Sequence, residues 1–128
     1  MYKQALTAGV LFAMLAVILG AFGAHALKAK LATDMLQIFE TGVRYQFYHS
    51  FALLVSGILF SSFPIKSIKL AATCFIIGIV LFSGSLYAMA LLSINSVGIG
   101  PIGILTPIGG LFFIIGWILL FLGIIRKA

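Results

Sequence analysis

The sequence predicts an all-α integral membrane protein, a four-helix bundle with a short interfacial helix between spans one and two. Three observations carry this reading. The 128 residues are 63% hydrophobic and only 8% charged, where an ordinary soluble domain carries about 25% charge. Four segments each offer roughly the 20 apolar residues that a spanning helix needs. The eight Lys and Arg residues stand between or beside these segments, and no charge occurs from Leu70 to Ile125.

The same numbers exclude other classes. A soluble domain of this size needs far more polar surface. A disordered chain would be poorer in apolar residues and richer in charge. The single Cys74 cannot build a disulfide framework. A net charge of +6 does not indicate nucleic-acid binding, because the basic residues are not gathered on one face. The chain is therefore expected to be one membrane domain over residues 1–128, in contact with the lipid bilayer and with other membrane proteins or copies of itself.

The spans are expected at about 5–24, 45–63, 68–93 and 106–125. Pro64 stops the second. Thr106 is suited to cap the fourth, with Pro107 at its first position. Between the first two spans, Asp34 begins a helical pattern with Met35, Leu36, Ile38, Phe39 and Val43 on a broad apolar stripe. Joined to the second span, this helix would run about 45 Å, longer than the hydrocarbon core of about 30 Å. Either its first turns lie in the headgroup region or it bends near Gly42, and a break or bend is the favoured expectation. Ala24-His25-Ala26 also fits a signal-peptide cleavage site, but the long apolar run and its glycines favour a span.

Basic residues near the span ends give the orientation. With both termini inside, Lys3, Lys66, Lys69, Arg126 and Lys127 lie on the inner side, against Lys28, Lys30 and Arg44 outside. This balance favours cytoplasmic termini.

Helices associate in lipid mainly by close packing at small residues. Gly109, Gly116 and Gly123 recur every seven residues along the fourth span. Gly20 and Gly23 belong to a similar stripe on the first, and Ala71, Cys74, Gly78 and Ser85 to one on the third. We read these stripes as helix contacts rather than a substrate path. Trp117 lies mid-span and reads as a bulky packing residue.

Few residues carry chemistry. Antiparallel threading would bring His25, Glu40, Arg44, Gln46, Tyr48, His49, Ser83 and Tyr87 toward the outer half of the bundle. Glu40 and Arg44 have the spacing of a helical ion pair. Polar groups at membrane depth are costly and usually face the bundle interior. The cluster reads as a hydrogen-bonded cap tying the helices together, or as a ligand or proton site. Two His and a carboxylate are metal-ligand types, but no ligand spacing supports a metal, and no metal or cofactor is expected. No catalytic motif of the HExxH, GxSxG or P-loop kind is present, so no catalytic residue and no enzyme activity are expected.

Four segments then carry a family resemblance. They are Gly20-Ala21-Phe22-Gly23-Ala24-His25-Ala26-Leu27, Tyr45-Gln46-Phe47-Tyr48-His49, Phe82-Ser83-Gly84-Ser85-Leu86-Tyr87, and Thr106-Pro107-Ile108-Gly109-Gly110 with Gly116-Trp117. In this order they resemble the domain of unknown function 423 family, small bacterial multi-pass membrane proteins akin to the transmembrane protein 256 group. The resemblance covers almost the whole chain, and Ala26 stands where family members often have Gly. It implies a four-helix inner-membrane protein and no particular activity. The expected function is a non-enzymatic accessory or assembly subunit. The alternative is an oligomeric small-solute or proton-coupled transporter or channel using Glu40 and His49.

Overall fold

In a computed structural model that describes residues 1–96, 98 and 100–126, four helices follow one another with short links. They are α1 (Lys3–Leu27), α2 (Thr33–Leu59), α3 (Lys66–Ser93) and α4 (Ile102–Ile125). No strand occurs among the described residues. Lys127, counted above among the inner basic residues, lies outside them.

α1, α3 and α4 are each long and apolar enough to cross a membrane. α2 is less apolar, and the reason is visible in its inward face. Phe39, Gly42, Gln46, His49, Leu53 and Ser56 are all buried, at the alternating three- and four-residue steps of a packed helical seam. Its outward face carries Tyr45, Tyr48, Phe51, Val55 and Ile58. A water-soluble helix has the opposite pattern. α2 also lies antiparallel along the whole of α1. Tyr2 N–H donates to Gly57 O at 3.0 Å at one end, and Gly23 meets the Phe39 ring at the other. A helix packed along a spanning partner occupies the same depth, so α2 crosses with it.

The expected break near Gly42 is absent, and α2 is continuous from Thr33 to Leu59. The interfacial segment forms the first turns of this one helix. Gly42 serves packing instead of bending, because a Cβ there would stand 2.8 Å from Tyr87 Cε1. The link before α2 shrinks to Lys28–Ala32, held by Lys30 N–H and Leu31 N–H on the Leu27 carbonyl, both at 2.9 Å.

The fourth helix also begins earlier than expected, at Ile102, with Pro101 at its cap. Thr106 does not cap it, and Pro107 is inside it. Pro101 supplies the start signal, and Pro107, in the second turn, removes one intrahelical backbone donor. The third helix starts at Lys66, close to the expected position, and widens into a π-turn at Ile79–Ser83. Such turns rotate the residues that follow. Here Phe82 meets α4 while Ser83 reaches α2.

α1 packs chiefly on α2 and α4 chiefly on α3, and the α2–α3 contact joins the two hairpins. The main core is built from Ala52 and Leu53 of α2, Ile68, Ala71, Ala72, Phe75 and Ile79 of α3, and Phe113 and Leu120 of α4. A smaller cluster of Leu27, Leu31, Phe39 and Ala90 closes the opposite end. The α3–α4 seam is set by glycine. At Gly109 an added Cβ would stand 2.8 Å from Phe82 Cα, at Gly116 2.6 Å from Phe75 Cε1, and at Gly123 2.8 Å from Ile68 Cδ1. On α1, Gly23 is similarly tight against Phe39 at 2.9 Å, while Gly20 faces Val43 at a looser 3.4 Å.

Candidate functional site

Two polar nodes lie one turn apart on α2, at mid-depth in the bundle. α2 starts at Thr33, so His49 lies roughly 24 Å along it at 1.5 Å per residue rather than one turn inside a span. This moves Gln46 and His49 out of the outer half, where the sequence had gathered every polar group. Both side chains are buried.

The first node ties three helices. Gln46 Nε2 donates to the Phe12 carbonyl of α1 at 2.8 Å. Its Oε1 accepts from Tyr87 OH of α3 at 2.7 Å. Tyr87 also packs against Phe39, with ring centroids 5.0 Å apart. Close by, Ser83 Oγ donates to the Gly42 carbonyl at 2.7 Å. Ser50 and Ser56 bond back to the carbonyls of Gln46 and Ala52. A hydroxyl that satisfies itself on its own helix is a low-cost way to keep a small residue in a lipid-embedded seam.

The second node joins α2 to α4. His49 Nδ1 lies 2.7 Å from the Tyr45 carbonyl, and Trp117 Nε1 lies 3.1 Å from His49 Nε2. An indole N–H can only donate, so Nε2 is the acceptor. The imidazole proton is therefore on Nδ1, where it donates to Tyr45 O, and the ring is neutral. Phe113 stacks on the imidazole with centroids 3.5 Å apart and planes 7° apart. This node forms the wall of a groove of about 770 Å³ between α2 and α4, with Phe82 of α3 also lining it. Tyr45 and Tyr48 border the groove.

Other expected site residues are placed elsewhere. His25 is exposed in the last turn of α1. Glu40 and Arg44 are exposed beside a smaller groove with Gly20 and Val43. The Arg44 guanidinium donates to Thr41 Oγ1 at 3.1 Å rather than to Glu40. Ser85 bonds Thr106 across the α3–α4 seam, with their oxygens 2.6 Å apart. Among the described residues no three His, Cys, Asp or Glu side chains cluster as metal ligands, so His25, Glu40 and His49 do not form such a set. Among the described residues every buried side-chain polar atom has a hydrogen-bond partner.

Trp117 packs against Phe75 and has a second role that sequence reasoning missed. It is a hydrogen-bond donor to His49, not only bulk. The signal was available, because an indole N–H in hydrocarbon seeks an acceptor and His49 offers one in a span otherwise poor in side-chain acceptors. The Phe12 carbonyl and the Phe113 stack left no sequence signal.

Comparison with known proteins agrees with the residues that carry the resemblance. The family described as protein of unknown function (DUF423) matches residues 19–110. A UPF0382 membrane protein of Staphylococcus aureus (strain bovine RF122) is 42% identical over 120 residues, covering 94% of this chain and 93% of the relative. The UPF0382 membrane protein YwdK of Bacillus subtilis (strain 168) is 43% identical over 119 residues, covering 92% and 93%. A UPF0382 membrane protein of Staphylococcus saprophyticus is 44% identical over 115 residues, covering 90% and 91%. No solved structure matches the chain. With most of its length matched by the family and its relatives aligned nearly end to end, the chain belongs to the DUF423 family of membrane proteins.

Proposed function

We propose that the protein is a non-enzymatic accessory or assembly subunit of an inner-membrane complex, with both termini in the cytoplasm. One observation carries this. The mid-bundle polar groups of α2 are bonded within the chain, while two of its charged groups, Glu40 and Arg44, are exposed. Gly20 lies against Val43 and Gly23 against Phe39, so Arg44 is level with the apolar run of α1 and Glu40 with its last turn. Charge at that depth is costly unless it finds a partner, and a neighbouring membrane protein supplies one. The orientation rests on Lys3, Lys66, Lys69 and Arg126 toward one end of the bundle, against Lys28, Lys30 and Arg44 toward the other.

A proton-coupled transporter would need Glu40 and His49 on one path. Glu40 is exposed on the outer face, and His49 is buried against Phe113 and Trp117, which favours the subunit reading.

The test is gentle affinity purification from native membranes, followed by mass spectrometry. The expected result is a stoichiometric partner that is lost in the Glu40→Gln/Arg44→Gln double variant and kept in Lys28→Gln. A clean preparation with no partner, or a partner indifferent to Glu40 and Arg44, overturns the proposal.

A further inference from the structure

We propose that the groove between α2 and α4 binds a neutral, lipid-soluble ring compound bearing carbonyl or hydroxyl oxygens, of the quinone or quinol class. The argument starts from two phenols. Tyr45 and Tyr48 are 39% and 55% exposed and border the groove. Among the described residues neither phenol oxygen has a hydrogen-bond partner, whereas Tyr87 OH is bonded to Gln46 and Tyr2 OH to Gln4. Both phenols lie on α2 between Gly42 and Ser50. Ser50 is level with Gly9 of α1 and Val43 with Gly20, so the phenols sit near the middle of a span that runs Lys3–Leu27. Hydrocarbon offers a hydroxyl no acceptor there, and an unsatisfied hydroxyl in an apolar medium costs free energy. An acyl chain would fill the groove and leave both phenols unpaired. A ring carrying oxygens would fill it and accept from them.

The walls fit the same class. Tyr45, Phe82 and Trp117 present ring faces and edges, the surfaces on which a flat conjugated molecule stacks. No charged side chain lines the groove, so the ligand is neutral. The volume of about 770 Å³ lies within the range of small-molecule sites, about 300–1,000 Å³. The groove opens sideways between two helices that face lipid, so entry is from the membrane rather than from water. His49 is not free to bind, because both ring nitrogens are engaged. It holds Trp117 in place as one wall.

Trp117 is the chain's only tryptophan, so its fluorescence reports on the groove. The probe is decylubiquinone, titrated into the protein in nanodiscs. The expected result is saturable quenching of Trp117. The Tyr45→Phe/Tyr48→Phe variant is expected to bind at least about tenfold more weakly, because both hydroxyl donors are lost. Its unfolding midpoint should stay unchanged, because among the described residues those hydroxyls have no hydrogen-bond partner. Gly110→Leu supplies a second arm. An added Cβ at Gly110 meets nothing closer than 3.8 Å, so leucine is compatible with the fold, fills the groove and abolishes saturable quenching. Quenching that rises linearly without saturation, or equal affinity in the Tyr45→Phe/Tyr48→Phe variant, overturns the proposal. Equal competition by decylbenzene, which has the tail and ring but no oxygens, assigns the groove to any hydrocarbon and overturns it as well.

Discussion

Gln46 and His49 stand three residues apart on one helix, are equally buried, and have opposite surroundings. Gln46 faces α1 and α3, and both ends of its amide are bonded to those two helices. His49 faces α4 and is also fully bonded, but its partner Trp117 is 47% exposed and borders an open groove. The difference teaches how a small membrane bundle divides its polar groups. One node holds helices together where packing is tight on every side. The other fixes a wall beside open space. Burial alone does not separate them; the exposure of the second partner does.

The largest test separates the nodes by moving α4. Gly109→Val places a branched side chain against the backbone of Phe82, which no rotamer relieves. The expected cost is about 3 kcal/mol or more, at the upper end of overpacking effects, read from the unfolding midpoint in mixed detergent micelles. Any fraction that remains folded should show a changed Trp117 emission, because α4 carries the indole away from His49. The Gln46 node, built from α1, α2 and α3, should keep its bonds. A Gly109→Val protein with wild-type midpoint and emission would refute the tight α3–α4 seam.

The next test removes the first node. Gln46→Ala leaves the Tyr87 hydroxyl without its acceptor and opens a gap between three helices. An unsatisfied buried hydroxyl costs about 1–3 kcal/mol, while hydrogen bonds between membrane helices average less, about 0.6–2 kcal/mol. The expected destabilisation is about 2 kcal/mol. Adding Tyr87→Phe should recover part of it, because the orphaned hydroxyl is then gone. Two fully additive losses would mean that Gln46 and Tyr87 do not act as a pair.

Much of this arrangement was legible in the sequence, and the residues show where legibility ends. The helices follow from apolar runs and from stops such as Pro64, because composition and local breakers act within a few residues. The close approach at Gly109, Gly116 and Gly123 follows from their seven-residue spacing, which is again local. Gly42 misled, because a mid-helix glycine serves bending and packing alike, and only the position of Tyr87 decides between them. Pro107 misled for a related reason, since Pro101 six residues earlier offers an equally good start. The nodes were the least legible. Gln46 and Tyr87 are 41 residues apart, and His49 and Trp117 are 68 apart, so their pairing depends on the register of three helices. The residue types were visible in the sequence, whereas their division into two sites, and the exclusion of His25, Glu40 and Arg44 from both, came from the packing.

The smallest effect sharpens the comparison most, because it asks whether the second node holds the fold at all. Trp117→Phe keeps a ring against Phe75, whose centroid lies 5.1 Å away, and removes only the donor to His49 Nε2. His49→Phe keeps a ring against Phe113 and removes both the acceptor for Trp117 and the Nδ1 donor to the Tyr45 carbonyl. Trp117 lies half exposed at the edge of the groove, so loss of its bond to His49 should cost about 1 kcal/mol or less. A double-mutant cycle of the two, followed by circular dichroism because the only tryptophan is lost, should give a coupling of about 0.5 kcal/mol or somewhat more. A coupling as large as that between Gln46 and Tyr87 would make His49 and Trp117 a structural tie of equal rank, and the contrast between the nodes would fall. A small coupling beside a large loss of decylubiquinone binding in His49→Phe would place this node's value in the groove wall and not in stability.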